Sequence, residues 1–242
     1  MKALRIIKRI FKVAALVLVF GTTALILWRI FTSGDPQAVK PLLPNDELRT
    51  AYSESGGELT AYWQELDNIT RGNENYGYFS VTRGLFVEEA DQVQVTFRYN
   101  NSTLRHLQED YNLATIPGRD EDVYDVSLVV VYDLTPDNKA DNSGTAEGYA
   151  EGAVNIVRYY PEEEPTLSHR HNVYNYRKFV FNGVDMTVTD TPVLSVYVDI
   201  YYKGDVNYDR DAYGTLIIYD YTFQKHEYVL TRWDRDTLDV GN

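Results

Sequence analysis

Alternation of apolar and polar residues with a period of two dominates the chain from residue 78 onward. The strongest runs place apolar residues on one face of Val93–Tyr99, Tyr124–Tyr132 and Leu194–Tyr202. Weaker runs cover Tyr78–Val87, Gly152–Tyr160, Val173–Asn182, Tyr213–Tyr221 and His226–Trp233. Because successive side chains of a strand point to opposite faces, each run predicts a half-buried strand. About eight such strands without alternating helices predict a mainly β fold, an antiparallel β-sandwich over residues 76–242.

Helical spacing precedes this region. Asn45 can cap a helix whose first turn carries acidic residues, and Gly56-Gly57 should end that helix. A second helix is indicated by apolar residues at positions i, i+3, i+4 and i+7, namely Leu59, Tyr62, Trp63 and Leu66. Together with the Pro-rich stretch Ser33–Pro44, these segments predict a linker and a short helical spacer over residues 32–75.

The N-terminal segment contains a long apolar run. Val13–Leu27 carries no charge, and apolar residues extend the run to Ile10–Phe31 around Lys12 and Arg29. About 20 helical residues cross a hydrocarbon core, so residues 10–31 are predicted to form a transmembrane helix. A cleaved signal peptide is the alternative. The residues that follow the run, Trp28–Phe31, fit the small-residue pattern of a cleavage site poorly, which favours a retained anchor.

Charge is distributed unevenly along the chain. Residues 1–12 hold Lys2, Arg5, Lys8, Arg9 and Lys12 and no acid, which predicts a basic cytoplasmic tail by the positive-inside rule. The C-terminal domain would then be extracytoplasmic, on a single-pass protein of the cell membrane. The whole chain has 23 Lys+Arg and 36 Asp+Glu, a net charge of −13. Such acidity argues against a nucleic-acid partner, and the absence of Cys removes any disulfide framework.

Two stretches resemble a known group of proteins. Arg98–Leu104 reads R-Y-N-N-S-T-L, and Tyr132–Asn138 reads Y-D-L-T-P-D-N. Both are similar to stretches in single-pass envelope proteins of clostridial-type bacteria, and the layout of anchor, helical spacer and immunoglobulin-like sandwich is similar too. The resemblance implies an envelope location and an immunoglobulin-like fold. It carries over no functional residues, because that group has no assigned activity.

The connection between the last two long strand runs carries acidic residues at alternate positions. Asp205, Asn207 and Asp209 match positions 1, 3 and 5 of a calcium-binding loop, whose oxygens converge on a hard cation. The match stops there, because Arg210 replaces the glycine of position 6 and Leu216 replaces the bidentate glutamate of position 12. A polar hairpin tip is the favoured interpretation, with a calcium site as the alternative.

His169 and His171 form a second candidate metal site. Residues i and i+2 of a strand face the same side, so both imidazoles could hold one transition metal. A catalytic metal site usually needs a third ligand, and the other histidines, His106 and His226, are distant in sequence. A solvated pair without a metal is the favoured interpretation.

The lack of common catalytic motifs in the sequence favours a binding role. The chain contains neither a G-x-S-x-G elbow nor a G-x-x-x-x-G-K-[ST] phosphate loop. Candidate aromatic platforms for sugars are Tyr159, Tyr160, Tyr174, Tyr176, Tyr201, Tyr202 and Tyr208, although core packing is favoured for them. The sequence therefore predicts a membrane-anchored, non-catalytic interaction or envelope-associated module that needs no cofactor, with an envelope protein or glycan as partner. The alternatives are a calcium-assisted carbohydrate- or wall-polymer-binding module and, less favoured, a metal-dependent enzyme.

Overall fold

The structure, a computed structural model, covers the chain with gaps. It describes residues 2–32, 42–64, 78–119, 121–134, 154–161, 166–170, 174–186, 192–205, 212–220 and 225–239. Within them the helices are α1 (Lys2–Thr32), α2 (Asp46–Glu54), α3 (Asn101–Asp110) and α4 (Arg232–Leu238). The strands are β1 (Ala61–Gln64), β2 (Ser80–Val87), β3 (Gln92–Asn100), β4 (Tyr124–Asp133), β5 (Val154–Tyr159), β6 (Thr166–Arg170), β7 (Tyr174–Phe181), β8 (Val193–Tyr202), β9 (Gly214–Asp220) and β10 (Lys225–Glu227).

The strands form two sheets, and every pairing is antiparallel. The larger sheet has the order β10-β1-β2-β3-β7-β6, and the smaller has the order β5-β4-β8-β9. Both sheets contribute to one buried cluster, in which Phe97 of β3 lies among residues such as Leu128 of β4 and Val198 of β8. The prediction of a mainly β, antiparallel fold is confirmed. The apolar faces of these three strands form its core, because packing each face against the other sheet removes it from water.

Helices cover the outer face of the larger sheet. Leu48 of α2 and Leu238 of α4 are buried in a second apolar cluster with Leu85 and Val87 of β2. As predicted, Asn45 caps α2, since its side chain accepts a hydrogen bond from the Leu48 amide at 3.0 Å. Gly56 and Gly57, with φ of 75° and 90°, follow the helix in the left-handed region that glycine tolerates best.

Two predicted elements differ from the structure. The helix expected at Leu59–Leu66 is wrong, because residues 61–64 form β1, paired with β2 on one side and β10 on the other. Tyr62 points into the core between the sheets, whereas Trp63 packs on the opposite cluster, which is the alternation of a strand. The strand expected at His226–Trp233 ends at Glu227. Thr231 then caps α4 by accepting from the Asp234 amide at 3.3 Å.

The N-terminal helix α1 has all of its described side chains, residues 11–26, exposed. Among the described residues, no helix combines the length and apolar character needed to cross a membrane. The transmembrane span expected at residues 10–31 therefore stays a prediction.

Candidate functional site

The predicted calcium loop connects two paired strands. β8 and β9 are antiparallel neighbours, so the segment between Tyr202 and Gly214 is a hairpin connection. Asp205 lies at its start, where its amide donates to the Tyr202 carbonyl at 2.9 Å. Asn207 and Asp209 lie outside the described residues. Calcium binding by the three residues therefore stays a prediction.

The predicted histidine pair is described only in part. His169 lies in β6 opposite Asn175 of β7, and His171 lies outside the described residues. The other two histidines stack on aromatic rings instead, His106 on Tyr78 at 4.3 Å and His226 on Trp63 at 4.8 Å between ring centroids. Across the described part of the chain, no group of three His, Cys, Asp or Glu side chains is placed to hold a metal ion. A transition-metal site at the pair stays a prediction.

Most of the candidate tyrosine platforms pack within the protein. Tyr176 is buried, and Tyr174 lies under the Arg98 guanidinium, which is 4.6 Å from the ring centroid. The Tyr159 hydroxyl lies 3.2 Å from that of Tyr132. Tyr160 differs, since 64% of it is exposed. Tyr208 lies outside the described residues.

A polar cluster lies on the outer face of the smaller sheet, near Tyr160. Arg158 of β5 reaches across β4 to β8, and its Nη1 donates to Ser127 Oγ at 2.6 Å, Asp199 Oδ2 at 2.8 Å and Tyr201 Oη at 2.8 Å. Thr215 of β9 donates to Asp199 Oδ1 at 2.9 Å. We call these five residues the Arg158 face. It joins all four strands of the sheet through side chains.

Within the Arg158 face, Asp199 is held by several hydrogen bonds, whereas the Arg158 side chain is partly exposed to solvent. Asp199 is buried, and its two carboxylate oxygens accept from Arg158, Tyr201 and Thr215. The Arg158 side chain is 39% exposed, and its hydrogen bonds to described residues all leave from Nη1. None of the described residues accepts from its Nε or Nη2, and these donors belong to the planar fork that matches a carboxylate.

Electrostatics keep Arg158 and Tyr201 each in one protonation state near neutral pH. Burial lowers the pKa of the Arg158 guanidinium, but the hydrogen bond and charge of Asp199 outweigh this and raise the pKa above its ordinary value. Burial raises the pKa of the Tyr201 hydroxyl, and the Asp199 carboxylate raises it further. Arg158 thus stays charged and Tyr201 stays a neutral hydroxyl. The face presents a fixed pattern of donors, which suits recognition.

A second charged cluster lies at one end of the sandwich. Arg177 of β7 is fully buried, and its Nη2 donates to the Glu121 carbonyl at 2.7 Å. Asp122 accepts from Lys203 Nζ at 2.6 Å, and Lys203 also lies 3.6 Å from Asp125. We call these four charged residues, Arg177, Asp122, Lys203 and Asp125, the Arg177 cluster. It ties the start of β4 to the end of β8 and to β7.

Neither cluster was predicted from the sequence. Arg158 falls in a weakly alternating run, and Arg177 stands on the same side of β7 as Phe179 and Phe181, where an apolar residue is expected. The local signal is Arg177 itself, a charged residue at a strand position whose neighbours on the same face are apolar and buried. A buried charge implies a compensating partner, but the sequence does not say which one.

Comparisons with protein-family models, with curated proteins and with solved structures find no match to this chain. The resemblance to clostridial-type envelope proteins and the immunoglobulin-like assignment of the sandwich therefore stay predictions.

Proposed function

We propose that this protein is a membrane-attached, non-catalytic binding module of the cell envelope, which recognises its partner through the Arg158 face. The observation that carries the proposal is the half-satisfied guanidinium of Arg158. One nitrogen is fixed by three oxygens at 2.6–2.8 Å, and no described residue occupies the rest of the fork. Holding an arginine in this way lowers the entropy lost on binding. Acidic groups on an envelope protein or polymer are the natural partners of such a fork.

Carbohydrate is the second candidate partner, and a separate observation favours it. Ile156 and Arg158 of β5 and Tyr160, one residue beyond its end, alternate along the chain and so lie on one face, with Ile156 42% and Tyr160 64% exposed. An exposed ring next to a fixed guanidinium can stack on a sugar while the guanidinium binds its hydroxyls or a carboxylate. A polymer that contains uronic acids would satisfy both features.

Binding is tested by titrating the full-length protein with solubilised wall fragments and with a glycan array. Tyr160→Ala and Arg158→Lys should each weaken binding, since the first removes the ring and the second removes the planar fork but keeps the charge. Arg232→Ala is the matched control, because that side chain is 95% exposed and lies on α4 away from the face. Equal loss in the control, or unchanged binding in both face variants, would show that the partner binds elsewhere.

Membrane attachment through α1 is the second part of the proposal. Leu16–Phe20 are five consecutive apolar residues, so they point in every direction around the helix, and all are exposed. A helix that is apolar all round needs an apolar environment, either a protein core or lipid. The acidic remainder of the chain would be repelled by anionic lipid and stand away from the surface.

Attachment is tested by fractionating cells that express the full-length chain. The wild type should remain in the membrane pellet after a carbonate wash and leave it in detergent. Leu18→Lys combined with Val19→Lys should shift the chain toward the soluble fraction, whereas Val229→Lys, at an exposed apolar residue outside α1, should not.

Protease added to intact protoplasts should digest the sandwich and leave a membrane-bound stub. Recovery of the intact wild-type sandwich in the medium would contradict a retained anchor.

A further inference from the structure

Four buried polar atoms stand together in and beside the Arg177 cluster. Among the residues that the structure describes, Arg177 Nε, Asp122 Oδ1, Tyr99 Oη and Tyr124 Oη are shielded from solvent and have no hydrogen-bond partner. Arg177, Tyr99 and Tyr124 are each at most 1% exposed. Buried polar groups in folded proteins are paired in the great majority of cases, so four such atoms in one place need an explanation.

The four atoms belong to one site. Arg177 lies over the Tyr99 ring, with Cζ 5.2 Å from the ring centroid, and the Tyr99 and Tyr124 rings meet edge-on at 5.1 Å. Burial raises the pKa of the Tyr99 hydroxyl, while Arg177 lowers it and Asp122 raises it. Burial also raises the pKa of the Tyr124 hydroxyl, and Tyr99 raises it further. The charge of Arg177 lowers the pKa of both hydroxyls, so both lie within reach of its field.

The charged groups are held apart by their other bonds. Arg177 is fixed through Nη2 to the Glu121 carbonyl at 2.7 Å and through Nη1 to the Tyr176 carbonyl at 3.3 Å. Asp122 is fixed through Oδ2 to Lys203 at 2.6 Å. The remaining separation, 3.8 Å between Arg177 Nε and Asp122 Oδ1, is too long for a direct hydrogen bond.

We propose that a single internal water molecule binds between these four atoms. Its oxygen accepts from Arg177 Nε–H and from one tyrosine hydroxyl, and its two hydrogens go to Asp122 Oδ1 and to the other hydroxyl. This gives two donors and two acceptors, the full complement of a buried water. A neutral ligand also fits the charge, because two cations, Arg177 and Lys203, already face two carboxylates, Asp122 and Asp125.

The water would fasten the root of the β8–β9 connection. Lys203 begins that connection, and its amide donates to the Val123 carbonyl at 2.9 Å beside the Lys203–Asp122 ion pair. At the other end of the connection, the Tyr213 ring stacks on Tyr124 at 6.4 Å between centroids. The site thus holds both ends of the segment whose tip carries the acidic residues.

Tyrosine-to-phenylalanine variants of the full-length chain in mild detergent test the site. If each hydroxyl bonds the water, Tyr99→Phe and Tyr124→Phe should each lower the melting temperature by about 2–4 °C, the shift that one lost hydrogen bond produces in a chain of this size. If the hydroxyls have no partner, the same changes should raise it, because they remove buried unpaired groups. Tyr160→Phe, at an exposed ring, is the control and should leave the melting temperature unchanged.

A high-resolution crystal structure provides the direct observation. Density for one water within hydrogen-bond distance of at least three of the four atoms supports the proposal. It is overturned if the four atoms close directly on each other, or if both phenylalanine variants are more stable than the wild type. It is also overturned if the melting temperature rises with chloride at constant ionic strength, since that would identify an anion in place of the water.

Discussion

At the residue scale, two buried glutamine side chains of β3 form hydrogen bonds with groups that have no backbone partner in the sheet. Gln94 of β3 is 1% exposed, and it bonds both backbone groups of Leu43, accepting from N at 2.7 Å and donating to O at 2.8 Å. Its neighbour Gln92 donates to Asn45 at 3.1 Å and to Asn182 at 2.8 Å. These contacts hold the segment before α2 against the larger sheet. They also explain polar residues at buried strand positions.

Gln94→Leu should therefore lower the free energy of unfolding by about 1–3 kcal/mol, because both backbone groups of the half-buried Leu43 lose their partner. Gln94→Glu is the graded control, since it keeps an acceptor for the Leu43 amide and loses the donor to the carbonyl. Urea unfolding followed by circular dichroism measures both variants. A leucine variant as stable as the wild type would show that Leu43 finds other partners.

At the element scale, the two sheets approach each other closely where β2 passes β9. A Cβ added to Gly84 would lie 3.2 Å from Ile218 Cβ, tighter than ordinary contact, so a larger residue would force Ile218 to shift. The strands come close at this point because Gly84 lies directly over Ile218, which is fully buried. The glycine thereby sets the spacing of the sheets at this point.

Gly84→Ala should destabilise the protein, although alanine is ordinarily the better strand residue. The gain in backbone entropy is about 0.5–1 kcal/mol, whereas overpacking a core costs about 1–3 kcal/mol, so the loss prevails. Thermal unfolding should show a lower melting temperature. Gly21→Ala in α1, where the added methyl meets nothing within 4 Å, is the matched control and should not lower it. An unchanged melting temperature for Gly84→Ala would mean that the sheets separate freely there.

At the scale of the whole molecule, the core is rich in tyrosine, which couples the fold to alkaline pH. Besides Tyr201, five of the described tyrosines have a pKa raised above the ordinary value of 10.0, with burial as the main cause. They are Tyr62, Tyr99, Tyr124, Tyr132 and Tyr213. In the unfolded chain these hydroxyls ionise near pH 10, whereas in the fold they keep their protons to higher pH. The folded state then binds more protons, and stability falls as the pH rises above 10.

The protein should unfold cooperatively between about pH 10 and pH 12. Each such group removes about 1.4 kcal/mol per pH unit, so five together remove about 7 kcal/mol per unit, which rivals the whole stability of a typical domain. In a pH titration, the last part of the phenolate absorbance to appear should rise together with the loss of the β signal in circular dichroism. Ionisation of all 21 tyrosines near pH 10 without loss of the β signal would contradict the buried state of these five rings. Tyr160→Phe, at an exposed ring, should leave the midpoint unchanged.

Local chemistry was enough to identify several elements. The period of two in Val93–Tyr99 and Tyr124–Tyr132 determined two core strands, because alternation is a property of the extended backbone itself. Asn45 and Gly56-Gly57 marked the ends of α2, because caps and left-handed turns depend on single residues. β1 was missed for the complementary reason. Over four residues the helical and strand patterns overlap, and pairing with β2 and β10 decided between them.

Only the tertiary structure decided where polar groups meet. Arg158 is 31 residues from Ser127 and 41 from Asp199 along the chain, and strand register alone brings the three together. Arg177 and Asp122 meet because packing of the sheets brings the middle of β7 beside the segment that leads into β4. A local pattern states which face of a strand a side chain takes. It carries no information on which distant strand will lie beside it, because that is set by the packing of the two sheets over their shared core.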